Sequence, residues 1–157
     1  MVTRHQNSSG ADGTTSVVDA WQAALAAEQQ AAFGYALLGP RLPASQQQLA
    51  RAAQTAHEAT RDATAVAIAR TGTTPHPPAG DYPALYPRAG APRTLAADLE
   101  DDCAAAWRFL YAQAAAGHGN TALRTQAQAT LIASAVRATH WRKLSGAVRA
   151  AQAFPGV

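Results

Sequence analysis

Glu28 and Glu100 are the residues of this 157-residue chain whose positions most demand chemistry, because each interrupts an apolar helical stripe. One stripe runs Trp21, Leu25, Glu28, Ala32, Tyr35, and the other runs Ala96, Glu100, Cys103, Trp107, Leu110. Steps of four and three residues mark the seam along which a helix packs in a bundle. An ionised carboxylate on such a seam must meet a metal ion, a cation or strong hydrogen-bond donors. What it meets separates a metalloprotein from a bundle with a salt-bridged core.

The metal alternative has a known pattern. In ferritin-like di-iron bundles two helices each give a Glu, and the other two each give a Glu-x-x-His pair whose ligands share one helix face. Glu28 and Glu100 would be the single glutamates. The second helix carries Gln54-Thr55-Ala56-His57, with Gln in place of the paired Glu, and the fourth carries Arg137-Ala138-Thr139-His140, with Arg in that place. Arg137 sits on its own stripe of Leu123, Ala127, Thr130, Ser134, Arg137, Trp141, Leu144 and Val148. The second-helix stripe Gln54, His57, Arg61, Thr64, Ile68 offers another arginine. A buried guanidinium repels a divalent cation and supplies five donors to carboxylates. The expected site is therefore a core polar cluster of Glu28, Gln54, His57, Arg61, Glu100, Arg137 and His140 that needs no cofactor. The alternative is one iron or manganese ion held by Glu28, His57 and Glu100. The two missing glutamates count against a full di-iron oxidase.

Other chemistry-bearing residues make weaker cases. His57-Glu58 lacks the second His of a metalloprotease helix. His5, His76 and His118 fall in the tail or in loops, where a solvated His is the default. Asp101 and Asp102 follow Glu100 near a helix start and compensate its dipole. Ser134 and His140 have no spacing that suggests a triad, and there is no Gly-rich phosphate loop.

The elements that must position these residues are four long helices. Residues 1–15 are polar and carry Gly10 and Gly13, and are expected to be a disordered tail. Ser16 with Asp19 reads as the start of the first helix, which stops at Gly39-Pro40. Ser45 and Gln48 match the capping-box spacing for a second helix running to about Arg70. Residues 72–93 hold six prolines and no helical period, with Tyr82, Leu85 and Tyr86 as apolar anchors that could lie on the bundle. In extended form this stretch can cross the full length of a helix. Thr94 and Asn120 read as caps of the third and fourth helices, the fourth reaching about Ala150. Short first and third links with a long second link predict an all-α, ferritin-like four-helix bundle over residues 16–157, with one long crossover between helices two and three.

Composition narrows the function classes. The chain is long enough for one domain with a real core. Roughly a quarter of it is alanine, a strong helix former and a poor core filler, so long helices should pack closely. Its net charge of +3 is mild, and its basic residues are dispersed apart from Arg137, Arg142, Lys143 and Arg149. That pattern argues against a nucleic-acid partner. Cys103 is the single cysteine, so neither a disulfide framework nor a thiolate zinc site is possible within one chain. No apolar run approaches the ~20 residues of a membrane span, and the first residues have no apolar signal core. The chain reads as cytoplasmic.

The chain resembles the actinobacterial ferritin-like family of domain of unknown function 4439. The matching pieces, in order, are Leu25-Ala26-Ala27-Glu28 with Tyr35 and Gly39, then His57 with Arg61-Asp62. Asp81-Tyr82, Leu99-Glu100, Ala138 with Trp141-Arg142, and Phe154-Pro155-Gly156 follow. The resemblance covers about residues 17–156. Glu58 departs from it, where the family is expected to carry a basic residue. The resemblance implies the ferritin-like bundle and brings no known activity. The functional expectation is a bundle without a di-iron centre, more a binding or self-associating module than an enzyme, with a second copy or another protein as partner. The alternative is a metal-dependent oxidoreductase or iron-handling protein with a reduced ligand set.

Overall fold

Four long helices account for the periodic stretches of the sequence. The computed structural model describes residues 11–116 and 120–156. Helix α1 spans Ala11–Leu38, α2 Ala44–Arg70, α3 Pro92–Ala116 and α4 Thr121–Ser145, and there is no strand among the described residues. A 3₁₀ turn at Gly39–Arg41 reverses the chain between α1 and α2, and buried Leu42 closes it through an N–H bond to the Gly39 carbonyl at 3.1 Å.

The proline-rich connection climbs the outside of α1. Gln22 grips its start with both ends of its amide: Nε2 donates to the Thr74 carbonyl at 2.8 Å and Oε1 accepts from the His76 N–H at 2.9 Å. Gln29, two turns on, donates to the His76 carbonyl at 2.9 Å. Higher up, Tyr82 stacks obliquely on Phe33 with centroids 5.0 Å apart, and Leu85 is fully buried in a 3₁₀ turn. Tyr86, the third expected anchor, is half exposed; its ring meets Phe33 edge-on and its hydroxyl donates to Asp81. The connection delivers α3 beside the start of α2, where Arg93 Nε donates to Gln46 Oε1 at 2.9 Å. Helices α2 and α3 thus start at the same end, which is the single-crossover bundle.

Helix α1 packs on α2 and on α3, and α3 packs on α4, whereas α2 and α4 scarcely touch. Leu25, Leu38, Leu95, Leu99, Trp107, Leu110 and Trp141 fill the core, each contributing roughly 1.5–3 kcal/mol by burial. At Gly34 the α1 backbone presses against the Leu99 side chain, so a β-carbon there would collide with it.

The helix ends differ from expectation. Helix α1 begins at Ala11, so residues 11–15 are helical and Ser16 lies inside the helix; residues 1–10, the remainder of the expected tail, lie outside the described residues. Ser45 and Thr94 also fall inside helices, behind Pro43 and Pro92, and Asn120 precedes α4 without a side-chain capping bond. Proline fixes φ at a helical value and lacks the N–H that the first turn would leave unpaired, so it starts α3 without a polar cap. Helix α4 ends at Ser145, short of Ala150. Gly146 takes a left-handed φ of 79°, its N–H bonds to the Lys143 carbonyl, and the Ala147 N–H reaches the Arg142 carbonyl at 3.0 Å. This paired closure is the Schellman motif, which glycine enters without a β-carbon clash. Val148 is consequently an exposed tail residue and not part of the α4 seam. The tail returns to α3, where Gly156 (φ 79°) seats against the Ala104 backbone and its carbonyl accepts from Arg108. No helix among the described residues is long and apolar enough to cross a membrane.

Candidate functional site

Both seam glutamates are buried at the centre of the bundle, and His57 lies between them. The imidazole Nδ1 is 2.7 Å from Glu28 Oε2, and Nε2 is 3.1 Å from Glu100 Oε1. The three come from α1, α2 and α3, and each is at most 1 % exposed. The fourth helix supplies Arg137, whose Nε donates to Glu100 Oε1 at 2.7 Å and whose Nη2 donates to Ser134 Oγ at 3.3 Å. Aromatic donors complete the shell. Trp107 Nε1 donates to Glu28 Oε1 at 2.6 Å, the Tyr35 hydroxyl donates to Glu100 Oε1 at 2.7 Å, and Trp141 Nε1 donates to that hydroxyl at 2.7 Å. The Tyr35 ring also stacks on the imidazole, 5.4 Å between centroids.

Protonation follows from this geometry. Burial is the largest influence on His57 and pulls its pKa down, but the bonds to Glu100 and Glu28 and their charges outweigh it and raise the pKa to about 9. Burial likewise works against the Glu100 carboxylate, and the His57 and Arg137 bonds overcome it and hold its pKa below the ordinary value. Burial opposes the Arg137 charge too, and Glu100 restores it. Burial and then the Glu100 charge push the Tyr35 hydroxyl well above its usual range, so it stays a donor. At neutral pH the cluster therefore pairs two carboxylates with one imidazolium and one guanidinium, and its net charge is zero. Pairing and hydrogen bonding of this kind are what make buried charge tolerable.

The donor set does not fit a di-iron centre. Ligation needs a neutral imidazole with a free nitrogen, and both His57 nitrogens are committed to carboxylates. Arg137 occupies Glu100 in the place where a second metal-bridging carboxylate would be required. Two features point the other way. Glu100 Oε2 is buried with no partner among the described residues. Cys103 approaches the imidazole, with Sγ 4.0 Å from His57 Nδ1, and ligand atoms of Glu28, His57 and Cys103 all lie within 4.8 Å of one another. Burial and then the neighbouring carboxylates drive the Cys103 thiol well above its usual pKa, opposite to the thiolate that a metal would take.

Of the seven residues expected in the cluster, Glu28, His57, Glu100 and Arg137 meet. Gln54, Arg61 and His140 do not. Gln54 donates to Glu58 Oε1 at 2.9 Å on the flank of α2, Arg61 pairs with Asp62 at 2.8 Å near solvent, and His140 is exposed. The reason is the α2 seam, which runs Ala50, Ala53, His57, Thr64, Ile68. Alanine at 53 lets α2 turn that side inward, which rotates Gln54 to the edge and carries the seam between Thr60 and Arg61. On α4 the buried line is Ser134, Ala138, Trp141, so His140 points out. The partners missing from the expectation are the donors Tyr35, Trp107 and Trp141 and the acceptor Ser134. All four stand on the apolar stripes already drawn, and Tyr35 and Trp107 each follow a seam glutamate by seven residues. That spacing, two helical turns on the same face, is the signal by which they were findable. His5 and His118 lie outside the described residues.

The sequence matches the family described as domain of unknown function DUF4439 over residues 20–157. Among solved structures, the chain is similar to a conserved hypothetical protein, Rv2844, from Mycobacterium tuberculosis. The two share 29 % identity over 91 % of this chain and 99 % of that one, with a TM-score of 0.78. No curated protein is similar enough to match.

Proposed function

The chain belongs to the family of domain of unknown function DUF4439, and on that premise we propose that it is a ferritin-like bundle whose metal centre has given way to a self-neutralised ionic core, and that it works as a binding module and not as an oxidase. The observation that carries this reading is the His57 imidazolium spanning Glu28 and Glu100 while Arg137 takes the remaining charge. A core neutralised by its own cations has no charge left for a metal to compensate. The binding side is the one where α2 and α4 stand apart, since α1 is closed against α2 and α3, and α3 against α4, by packing.

Metal analysis tests the core. Protein purified after expression with added iron or manganese should carry far less than one ion per chain. Arg137→Ala should lower stability by about 3–5 kcal/mol, the usual result of stranding a buried partner. Replacing Glu28, His57, Glu100 and Arg137 together with apolar residues of similar volume should recover most of that loss. A near-stoichiometric ion that disappears in Glu28→Ala would overturn the proposal.

The proximity of Glu28, His57 and Cys103, with the unpartnered Glu100 Oε2, favours a second reading in which one ion is held by Glu28, His57 and Glu100. It requires His57 to lose its proton and turn away from one carboxylate. Uptake of iron or manganese should then release a proton and rise steeply toward pH 9; uptake independent of pH would count against it.

A further inference from the structure

The cleft between α2 and α4 reaches the ionic core from solvent. It encloses about 200 Å³, with Ala52, Ala53 and Ala56 on its α2 wall and Val136, Arg137 and His140 on its α4 wall. It exists because the α2 wall beyond Leu49 is alanine, too short to bridge to α4. Glu28, His57 and Glu100 are sealed, whereas the Arg137 side chain is 24 % exposed, so Arg137 is where the cluster meets the cleft. A guanidinium has five N–H donors. One goes to Glu100 and one to Ser134, which leaves three without a partner among the described residues. The bond from Nε fixes the guanidinium plane, so its free edge is already oriented for an incoming acceptor. Arg137 and His140 are basic, and no acidic side chain lines the cleft.

We propose that this cleft binds a small apolar monocarboxylate, of the kind represented by a medium-chain alkanoate. Its head pairs with the free edge of Arg137, with His140 at the rim, and its chain lies on the alanine wall and Val136. A planar two-oxygen head matches the guanidinium fork. One negative charge suffices because Glu100 already shares the Arg137 charge. The volume, below the ~300–1,000 Å³ of drug-sized sites, suits a single short chain and not a polypeptide. The inference rests on the metal-free reading of the core, since it needs Arg137 in place and charged.

Calorimetric titration with octanoate, octan-1-ol and octylammonium tests it. Octanoate should bind saturably at one site per chain. Octanol should bind at least about tenfold more weakly, the loss expected for one charge-assisted contact, and octylammonium should not bind. Ala56→Leu fills the cleft while leaving every residue of the ionic cluster unsubstituted, and should abolish octanoate binding while circular dichroism and melting stay unchanged. Arg137→Lys, which keeps the charge and loses the fork, should weaken octanoate at least about tenfold. Octanoate no tighter than octanol, or undiminished in Ala56→Leu, would overturn the proposal. Metal content of the same preparations keeps the two readings apart: a metal-free protein that ignores octanoate leaves the core reading standing and removes this one.

Discussion

His57 is the residue on which the cluster turns, since its proton makes the sum of charges zero. Its pKa is raised from 6.5 to about 9 in the folded chain. The folded state therefore holds this proton more tightly than the unfolded state. The contribution is fully present below pH 6.5 and is lost as pH rises through about 9. The loss is on the order of 3 kcal/mol for a shift of this size. Glu100 has the opposite sign: its lowered pKa gives stability that is present above about 4.5 and lost as pH falls. Urea denaturation across pH should accordingly show a plateau between about pH 4.5 and 6.5 and a decline from 6.5 to 9. His57→Gln should be less stable on the plateau and should lack that alkaline decline. A decline that survives in His57→Gln would assign it to another group. At this scale much was legible in the sequence. A carboxylate on a seam needs a partner, and Glu28, Glu100, His57 and Arg137 were identifiable from stripes alone. Gln54, Arg61 and His140 were misplaced because a three-residue step and a four-residue step from the same residue look alike until the neighbouring helix decides which side turns inward.

The close approach of α1 and α3 is decided at the scale of elements, by Gly34. A β-carbon there would strike Leu99, which is itself buried and has little room to yield. Gly34→Ala should gain up to about 1 kcal/mol in helix propensity and lose about 1–3 kcal/mol to overpacking, for a net loss. Leu99→Val in the same chain should return part of it, since the shorter side chain makes the room. Thermal melts of the two single variants and the double variant give the coupling, and strictly additive effects would show that the contact is not the cause. The sequence placed four helices and their long connection correctly but missed several ends. Side-chain caps were expected at Ser16, Ser45 and Thr94, whereas Pro43 and Pro92 set two of the starts and the first helix already begins at Ala11. The early stop of α4 follows from the left-handed Gly146, which ends the helix in a stretch still rich in helix formers. The glutamine clamps from α1 onto residues 74–76 were illegible, because they pair a helix side chain with backbone that has no periodicity to announce it.

At the scale of the whole molecule the bundle is lopsided. Helices α1 and α3 each pack against two neighbours, while α2 leans mainly on α1 and α4 mainly on α3. The fraction of local opening that needs only one interface to break should therefore be greatest for α2 and α4. For α2 the chief obstacle is His57, the α2 residue whose side chain bonds to both α1 and α3 through Glu28 and Glu100. Its two bonds make the ionic core a latch that ties a peripheral helix to the central pair. Native-state hydrogen exchange should show the amides around Ala97–Trp107 and Leu25–Tyr35 most protected, with α2 and α4 lower. In His57→Gln the protection of α2 should fall well below that of α4, while α1 and α3 lose only what the lower global stability takes from every amide. Equal loss of protection in all four helices would mean that the bundle opens only as a unit, and that His57 stabilises the whole without latching any part of it.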